Sequence, residues 1–144
     1  MARTVEDFEE GERWELGPVS VTREEILEFA RAFDPQPFHV DDEAASRNFE
    51  GIIASGWHTA ALCMRPFARE VLADVAVVAA QGIEDLRWYA PVYPGDELTV
   101  EVEVTDVATW SQDRGRVTFH LEATNQGGTL VHARDDLVIV ERIG

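Results

Sequence analysis

Residues 56–73 read GWHTAALCMRPFAREVLA and form the longest apolar segment of the chain. Placed on a helix, they leave little polar face, and a helix that is apolar nearly all round is typically buried. Gly56 opens the segment. Pro66 predicts a kink or an early break, because proline lacks the N–H that an interior helical hydrogen bond needs. We therefore expect one long, buried helix that begins at Gly56.

The chain downstream of this helix alternates between apolar and polar residues with a period of two. Such alternation indicates antiparallel strands with one buried face. The predicted strands are 82–90, 98–105, 117–124 and 130–142, with turn signals at Pro94-Gly95-Asp96, 111–115 and Gly127-Gly128. The alternation changes phase near Asp135 and Asp136, which predicts a β-bulge in the last strand.

Upstream of the long helix, the sequence predicts one strand and two shorter helices. Residues 12–20 suit a strand. Thr22 and Glu25 have the spacing of a capping box at a helix start, and Pro35 ends that helix. A short helix is expected at 41–47, with Asp41 as its N-cap.

One buried helix followed by several antiparallel strands predicts an α+β domain in which the sheet wraps around the helix, the hot-dog arrangement. An open sheet with helices on one face is the alternative. The chain has 144 residues, which suits a single domain over 1–144, and no Pro/Gly/Ser-rich linker divides it.

The charge balance and the single cysteine restrict the class of protein. The net charge of −16 comes from 28 acidic and 12 basic residues, which argues against binding to nucleic acids or to anionic membrane surfaces. No N-terminal signal core is visible, and no apolar stretch reaches the ~18 residues of a membrane helix. Cys63 can form no internal disulfide, so we expect a cytoplasmic protein in which Cys63 is a small buried residue.

The residues most suited to chemistry lie in the segment Asp34-Pro35-Gln36-Pro37-Phe38-His39. The two prolines stiffen the backbone between a carboxylate and an imidazole, which are a plausible acid/base pair near neutral pH. Gly56 begins a helix, where unpaired amides and the positive end of the helix dipole can stabilise an oxyanion. Taken singly, Asp34 would be a helix terminator and His39 a core or loop histidine, so the hypothesis depends on all three occurring together.

This combination resembles the hydratase motif of the MaoC-like dehydratase family, which includes (R)-specific enoyl-CoA hydratases. Asp34, Pro37, His39 and Ala45 fall at matching positions, and the segment ASGW resembles the family's glycine-containing entry to the central helix. The segment RWYAPVYPGDEL, residues 87–98, resembles the family's Pro-Gly-Asp turn before a long strand. Three positions depart from the family pattern: Phe33 for glycine, Gln36 for asparagine and Ser55 for histidine.

The resemblance implies a lyase of acyl-CoA and fatty acid metabolism that hydrates an enoyl thioester or dehydrates a 3-hydroxyacyl thioester. Asp34 and His39 would be the catalytic residues, and Gly56, Ser55 and Trp57 would bind the substrate. It implies no metal and no redox cofactor, because CoA or an acyl carrier is part of the substrate, and it implies a homodimer or higher homo-oligomer. Because CoA is anionic, a basic patch is expected among Arg65, Arg69, Arg87, Arg114, Arg116 and their neighbours.

Two other functions remain open at this stage. A hot-dog thioesterase would need a carboxylate on the central helix, where Glu70 lies late. A non-catalytic module that binds acyl-CoA or a small ligand is the third possibility, since fold does not determine function. Among the remaining candidates, His58 is placed one turn into the helix, where it would either contact the expected site or simply pack beside Trp57, and His120 and His132 are expected at the surface. Four aromatic residues are candidates for an acyl tunnel, although such residues more often belong to a core or an interface: Trp57, Trp88, Tyr89 and Trp110.

Overall fold

The computed structural model describes residues 2–143 and contains five strands and four α-helices. After a 3₁₀ turn at Val5–Asp7, the elements are β1 (Arg13–Ser20), α1 (Arg23–Phe33), α2 (Pro37–Val40), α3 (Asp42–Ala45), α4 (Gly56–Pro66), β2 (Val77–Trp88), β3 (Glu97–Thr109), β4 (Arg114–Thr124) and β5 (Leu130–Glu141). Within residues 2–143, no helix is long and apolar enough to cross a membrane.

The five strands form one antiparallel sheet in the order β1-β3-β4-β5-β2. Its inner face follows from the period-two alternation, because the apolar residue of each strand pairs with the apolar residue of the next, as Val102 does with Leu121. These side chains pack with Leu62, Cys63 and Phe67 of the central helical segment into one core. The predicted α+β hot-dog fold is confirmed.

The central helical segment changes its hydrogen bonding at Pro66, as the sequence predicts. Beyond α4 the chain continues as a π-helical turn at Phe67–Val71 and a 3₁₀ turn at Leu72–Asp74. The expectation that this helix is buried nearly all round is wrong for the single chain. Trp57 is 60% exposed and Met64 is also exposed, because the sheet covers only one side of α4.

The two predicted N-terminal helices are capped as expected, and the structure adds the short helix α2, which was not predicted. Thr22 accepts a hydrogen bond from the Glu25 amide at 3.2 Å, and the Thr22 hydroxyl donates to the Glu25 carboxylate at 2.9 Å. Asp41 caps α3 by accepting from the Glu43 amide at 3.3 Å, but α3 ends at Ala45 rather than at 47. Strand β2 begins at Val77, five residues before its predicted start at 82.

Strand β5 departs from two predictions. It pairs without interruption against β4 on both sides of Asp135, so the bulge expected there is absent from β5. The register irregularities of this part of the sheet lie along the facing strand β2. His132 was expected at the surface, but it is fully buried. The change of phase in the sequence arises because three polar residues occupy inward-facing positions: His132, Arg134 and Asp136.

These inward-facing polar residues form a hydrogen-bonded chain beneath α4. The Arg134 Nε donates to Asp136 Oδ1 at 2.8 Å, and the guanidinium also donates to the Ala60 carbonyl of α4 at 2.9 Å. Arg134 Nη1 donates to His132 Nε2 at 3.1 Å, so His132 carries its proton on Nδ1 and donates it to the Arg87 carbonyl at 3.0 Å. Burial, together with the neighbouring Arg134 charge, lowers the pKa of His132 to about 4.

Cys63 lies on α4 and is fully buried in the core, as predicted. Burial raises the pKa of its thiol to about 12. Cys63 therefore stays protonated near neutral pH and has no thiolate character.

Candidate active site

The two ends of the proline-rich segment meet in the folded chain. Helix α1 ends at Phe33, and Asp34 follows as its C-cap residue, outside the helical conformation, before Pro35. Pro37 begins α2, a position that suits proline because the first helical N–H needs no partner. His39 is the third residue of α2, and its Nε2 lies 3.3 Å from Asp34 Oδ2. The predicted carboxylate–imidazole pair therefore exists as a direct contact.

Asp34 is held by two further side chains. The Ser55 hydroxyl donates to Oδ2 at 2.7 Å, and the Gln36 amide donates to Oδ1 at 2.7 Å. The hydrogen bond from Ser55 is the largest cause that lowers the pKa of Asp34, followed by that from Gln36, and partial burial opposes them. Asp34 is therefore ionised at neutral pH, with both carboxylate oxygens oriented.

His39 is oriented from its other ring nitrogen. The residue is 4% exposed, and Nδ1 lies 2.7 Å from the Ile53 carbonyl oxygen. Because a carbonyl oxygen only accepts, Nδ1 carries the hydrogen and donates it. In the neutral ring, Nε2 is therefore the unprotonated nitrogen, and it faces Asp34.

Gly56 is the first residue of α4, so its N–H has no acceptor within the helix. Packing also requires a residue without a side chain at position 56. The Trp88 indole N–H donates to the Gly56 carbonyl at 2.8 Å, and a Cβ on Gly56 would lie 2.3 Å from Trp88 Cε2. The indole of β2 is thus packed against the start of α4.

A cavity of about 440 Å³ joins these elements, a size that suits a small-molecule site. Its lining brings together Asp34, His39, Gly56 and Trp57. The other lining residues are mostly apolar: Gln36, Phe38, Phe49, Ile53, Ala54, Thr59, Trp88, Tyr89, Ala90, Pro91 and Val92. Trp110, which the sequence offered as a further tunnel residue, is not part of this lining.

Ser55 is fully buried and does not line the cavity. Its hydroxyl bonds to Asp34 instead of reaching the substrate space. Sequence reasoning missed this contact and the contact of Gln36 with Asp34, although both residues had stood out as departures from the family pattern. Ser55 and Gln36 each donate a hydrogen bond to the Asp34 carboxylate.

The expected basic patch does not border the cavity. Among the described residues that line it, none is a lysine or arginine. Arg65 and Arg69 line a different groove beside β1, and Arg116 pairs with Asp106 at 3.6 Å. Arg114 begins β4 in register with the end of β5. Arg87 precedes the lining residue Trp88 in the chain but does not itself line the cavity.

Two other histidines lie apart from the site. His58 stacks on Phe29 of α1 with ring centroids 4.9 Å apart, and it borders a separate groove beside Phe33. His120 is half-buried on β4 between Asp135, at 2.7 Å, and Glu122, at 2.8 Å. These two carboxylates raise the pKa of His120, against the opposing effect of its burial.

Replacing Ser55 with alanine should raise the pKa of Asp34, because the substitution removes the largest cause that holds this pKa low. Titration of the Asp34 carboxyl carbon by NMR measures the change. The variant Gln36→Ala, which removes the second cause, should give a smaller rise. If the midpoint for Ser55→Ala coincides with that of the wild type, the hydroxyl does not stabilise the carboxylate.

Comparison with known proteins places the chain among MaoC-like proteins. Residues 7–126 match the family model described as MaoC like domain. The chain is 33% identical over 139 residues to the uncharacterised protein YdeM of Bacillus subtilis (strain 168), covering 96% of this chain and 99% of that protein. The MaoC-like dehydratase from Rhodospirillum rubrum superposes with a TM-score of 0.85 at 36% identity, over 98% of each chain. The (R)-hydratase from A. caviae, described as involved in PHA biosynthesis, gives a TM-score of 0.74 at 28% identity and covers 91% of this chain and 96% of that one.

Proposed function

Because this chain belongs to the MaoC-like family, we propose that it catalyses the reversible hydration of a trans-2-enoyl thioester to a 3-hydroxyacyl thioester. The observation that carries the proposal is the 3.3 Å contact between Asp34 Oδ2 and His39 Nε2 in a cavity that also contains the start of α4. The similarity to an (R)-hydratase supports the same reaction class.

The substrate is oriented by the helix start. In this proposal its carbonyl oxygen accepts a hydrogen bond from the Gly56 amide, where the helix dipole favours the charge of an enolate. The β-carbon then lies next to Asp34 and His39. Trp57 lines the cavity beside Gly56 and contacts the bound thioester. Ser55 does not touch the substrate but holds Asp34 in place.

The proton moves through the histidine. His39 Nε2 accepts a proton from a water molecule whose oxygen bonds to the β-carbon, while the electrons of the double bond move toward the thioester carbonyl. The ionised Asp34 stabilises the resulting imidazolium, and the Ile53 carbonyl keeps the ring in one orientation. The proton then passes from the pair to the α-carbon, so water has added across the double bond with no net gain or loss of protons. Dehydration is the reverse.

The proposal includes the partners of the chain. CoA or an acyl carrier belongs to the substrate, and no metal or redox cofactor takes part in the proposed steps. We further propose a homodimer, which is supported by the exposed Trp57 and Met64 on α4 and by the exposed apolar Ile83 on the edge strand β2. A cytoplasmic location is part of the same proposal and is supported by the single cysteine.

Incubation with short trans-2-enoyl-CoAs should produce a loss of the enoyl-thioester absorbance without release of free thiol. The absorbance reports addition to the double bond, and a thiol reagent reports hydrolysis of the thioester. Thiol release would indicate a thioesterase instead. If a panel of chain lengths gives neither signal, the chain is better described as a binding module.

A thioesterase has less support from the geometry. Glu70, the acid that such an enzyme would need on the central helix, lies on the π-helical turn after Pro66. It borders a groove with Pro18 and Arg69 and does not line the cavity that contains Asp34.

A further inference from the structure

An aromatic wall stands beside the imidazole of the candidate site. Phe38 lies edge-on to His39 with ring centroids 4.4 Å apart, and Phe49 packs against Phe38 at 6.0 Å. Both phenylalanines line the cavity and are half-buried. A different pair of rings stands at Gly56, where Trp57 and Trp88 pack edge to face at 5.3 Å.

If the proposed function is correct, the order of bonds in an enoyl thioester places the phenylalanine pair and the tryptophan pair against different parts of the substrate. The carbonyl carbon near Gly56 is bonded to sulfur, so the thioester tail leaves past the tryptophans. The β-carbon near His39 is bonded to the remainder of the acyl group, which therefore extends toward Phe38 and Phe49. We propose that Phe38 and Phe49 determine acyl specificity, and that the acyl group they accept is uncharged.

The charge of the cavity supports an uncharged group. Among the described lining residues there is no lysine or arginine, and the wall itself is apolar. The charged side chain among the described lining residues is the Asp34 carboxylate, which accepts hydrogen bonds from Ser55 and Gln36. A second carboxylate at the end of the acyl group would lose its hydration against phenyl rings and would face a like charge, and no described residue of this chain that lines the cavity is a lysine or arginine that could offset either cost.

A matched pair of saturated thioesters tests the inference without requiring turnover. Butyryl-CoA and succinyl-CoA have acyl chains of equal carbon number and differ in a terminal methyl or carboxylate. We expect butyryl-CoA to bind with a Kd about 100-fold lower than that of succinyl-CoA, measured by quenching of the intrinsic tryptophan fluorescence, to which Trp57 and Trp88 of the cavity contribute. Equal affinities, tighter binding of succinyl-CoA, or no binding of either would overturn the inference.

Two substitutions at Phe49 test the location of the acyl group. Phe49→Arg places a cation in the wall of Phe38 and Phe49. It should reduce the ratio of the Kd for succinyl-CoA to the Kd for butyryl-CoA by at least tenfold. Phe49→Leu keeps the wall apolar and should retain the preference, and a Phe49→Arg variant that folds and retains it as well would contradict the assignment. Should Phe49→Arg fail to fold, the wild-type pair of Kd values still decides whether the accepted group is uncharged.

The uncharged acyl group and the hydratase activity can each be refuted without refuting the other. Hydration of a carboxylated enoyl-CoA at the same kcat/KM as crotonyl-CoA would refute the uncharged acyl group and leave the hydratase assignment intact. Selective binding of butyryl-CoA with no hydration of any enoyl-CoA would refute the hydratase assignment and leave the acyl preference intact.

Discussion

Replacing Asp34 with asparagine should lower kcat for enoyl-thioester hydration by about 100-fold or more, the contribution expected of an acid/base group. The substitution removes the charge that stabilises the imidazolium of His39, while a side chain of the same shape remains. His39→Ala should lower kcat to a similar extent, because it removes the nitrogen that accepts the proton. Initial rates at saturating enoyl-CoA measure both effects.

The double variant distinguishes a joint mechanism from two separate contributions. If Asp34 and His39 act as one unit, combining the substitutions should lower kcat little further than either alone. Glu24→Gln is a suitable control, because it also removes a carboxylate from the α1 region but lies outside the cavity. A folded Asp34→Asn or His39→Ala enzyme with wild-type turnover would refute the proposed mechanism.

Replacing Arg134 with methionine should lower the free energy of unfolding by about 3–5 kcal/mol, the cost typical of breaking a buried ion pair on one side. The Arg134 and Asp136 side chains are 4% and 6% exposed. The substitution leaves the Asp136 carboxylate without its partner, and it leaves the Ala60 carbonyl and His132 Nε2 without the donor they share. Denaturant titration at one fixed protein concentration measures the loss.

Three comparisons identify the cause of this loss. The double variant Arg134→Met/Asp136→Leu should recover most of the stability, because an apolar pair replaces the charges. Arg13→Met, which breaks the exposed pair with Glu103, should have a far smaller effect. A double variant no more stable than Arg134→Met would show that the unpaired carboxylate is not the main cost.

The pH dependence of Arg134→Met provides the third comparison. Burial raises the pKa of Asp136 and Arg134 opposes this rise, so without the guanidinium the pKa should be higher still. A carboxyl whose pKa is higher in the folded than in the unfolded state binds more protons when folded. The stability deficit of the variant should therefore shrink as the pH falls.

The sequence alone predicts the strands, the break in the central helix and the candidate acid/base pair. Period-two alternation around Val100 and Leu121 predicts two strands, because opposite faces of a strand meet different solvents. Pro66 predicts the change in helical geometry from its missing N–H. Asp34 and His39 stand out because two prolines limit the backbone between them, so their contact is largely a local property of the chain.

Contacts between distant segments were decided only by the tertiary structure. Ser55 lies 21 residues from Asp34, and Trp88 lies 32 residues from Gly56, so neither contact leaves a periodic signal in the sequence. His132 appeared to be a surface residue because alternation shows which positions share a face but not whether a polar side chain will find buried partners. Arg134 provides that partner only once β5 packs beneath α4, since burial of polar groups becomes favourable only when folding completes their hydrogen bonds.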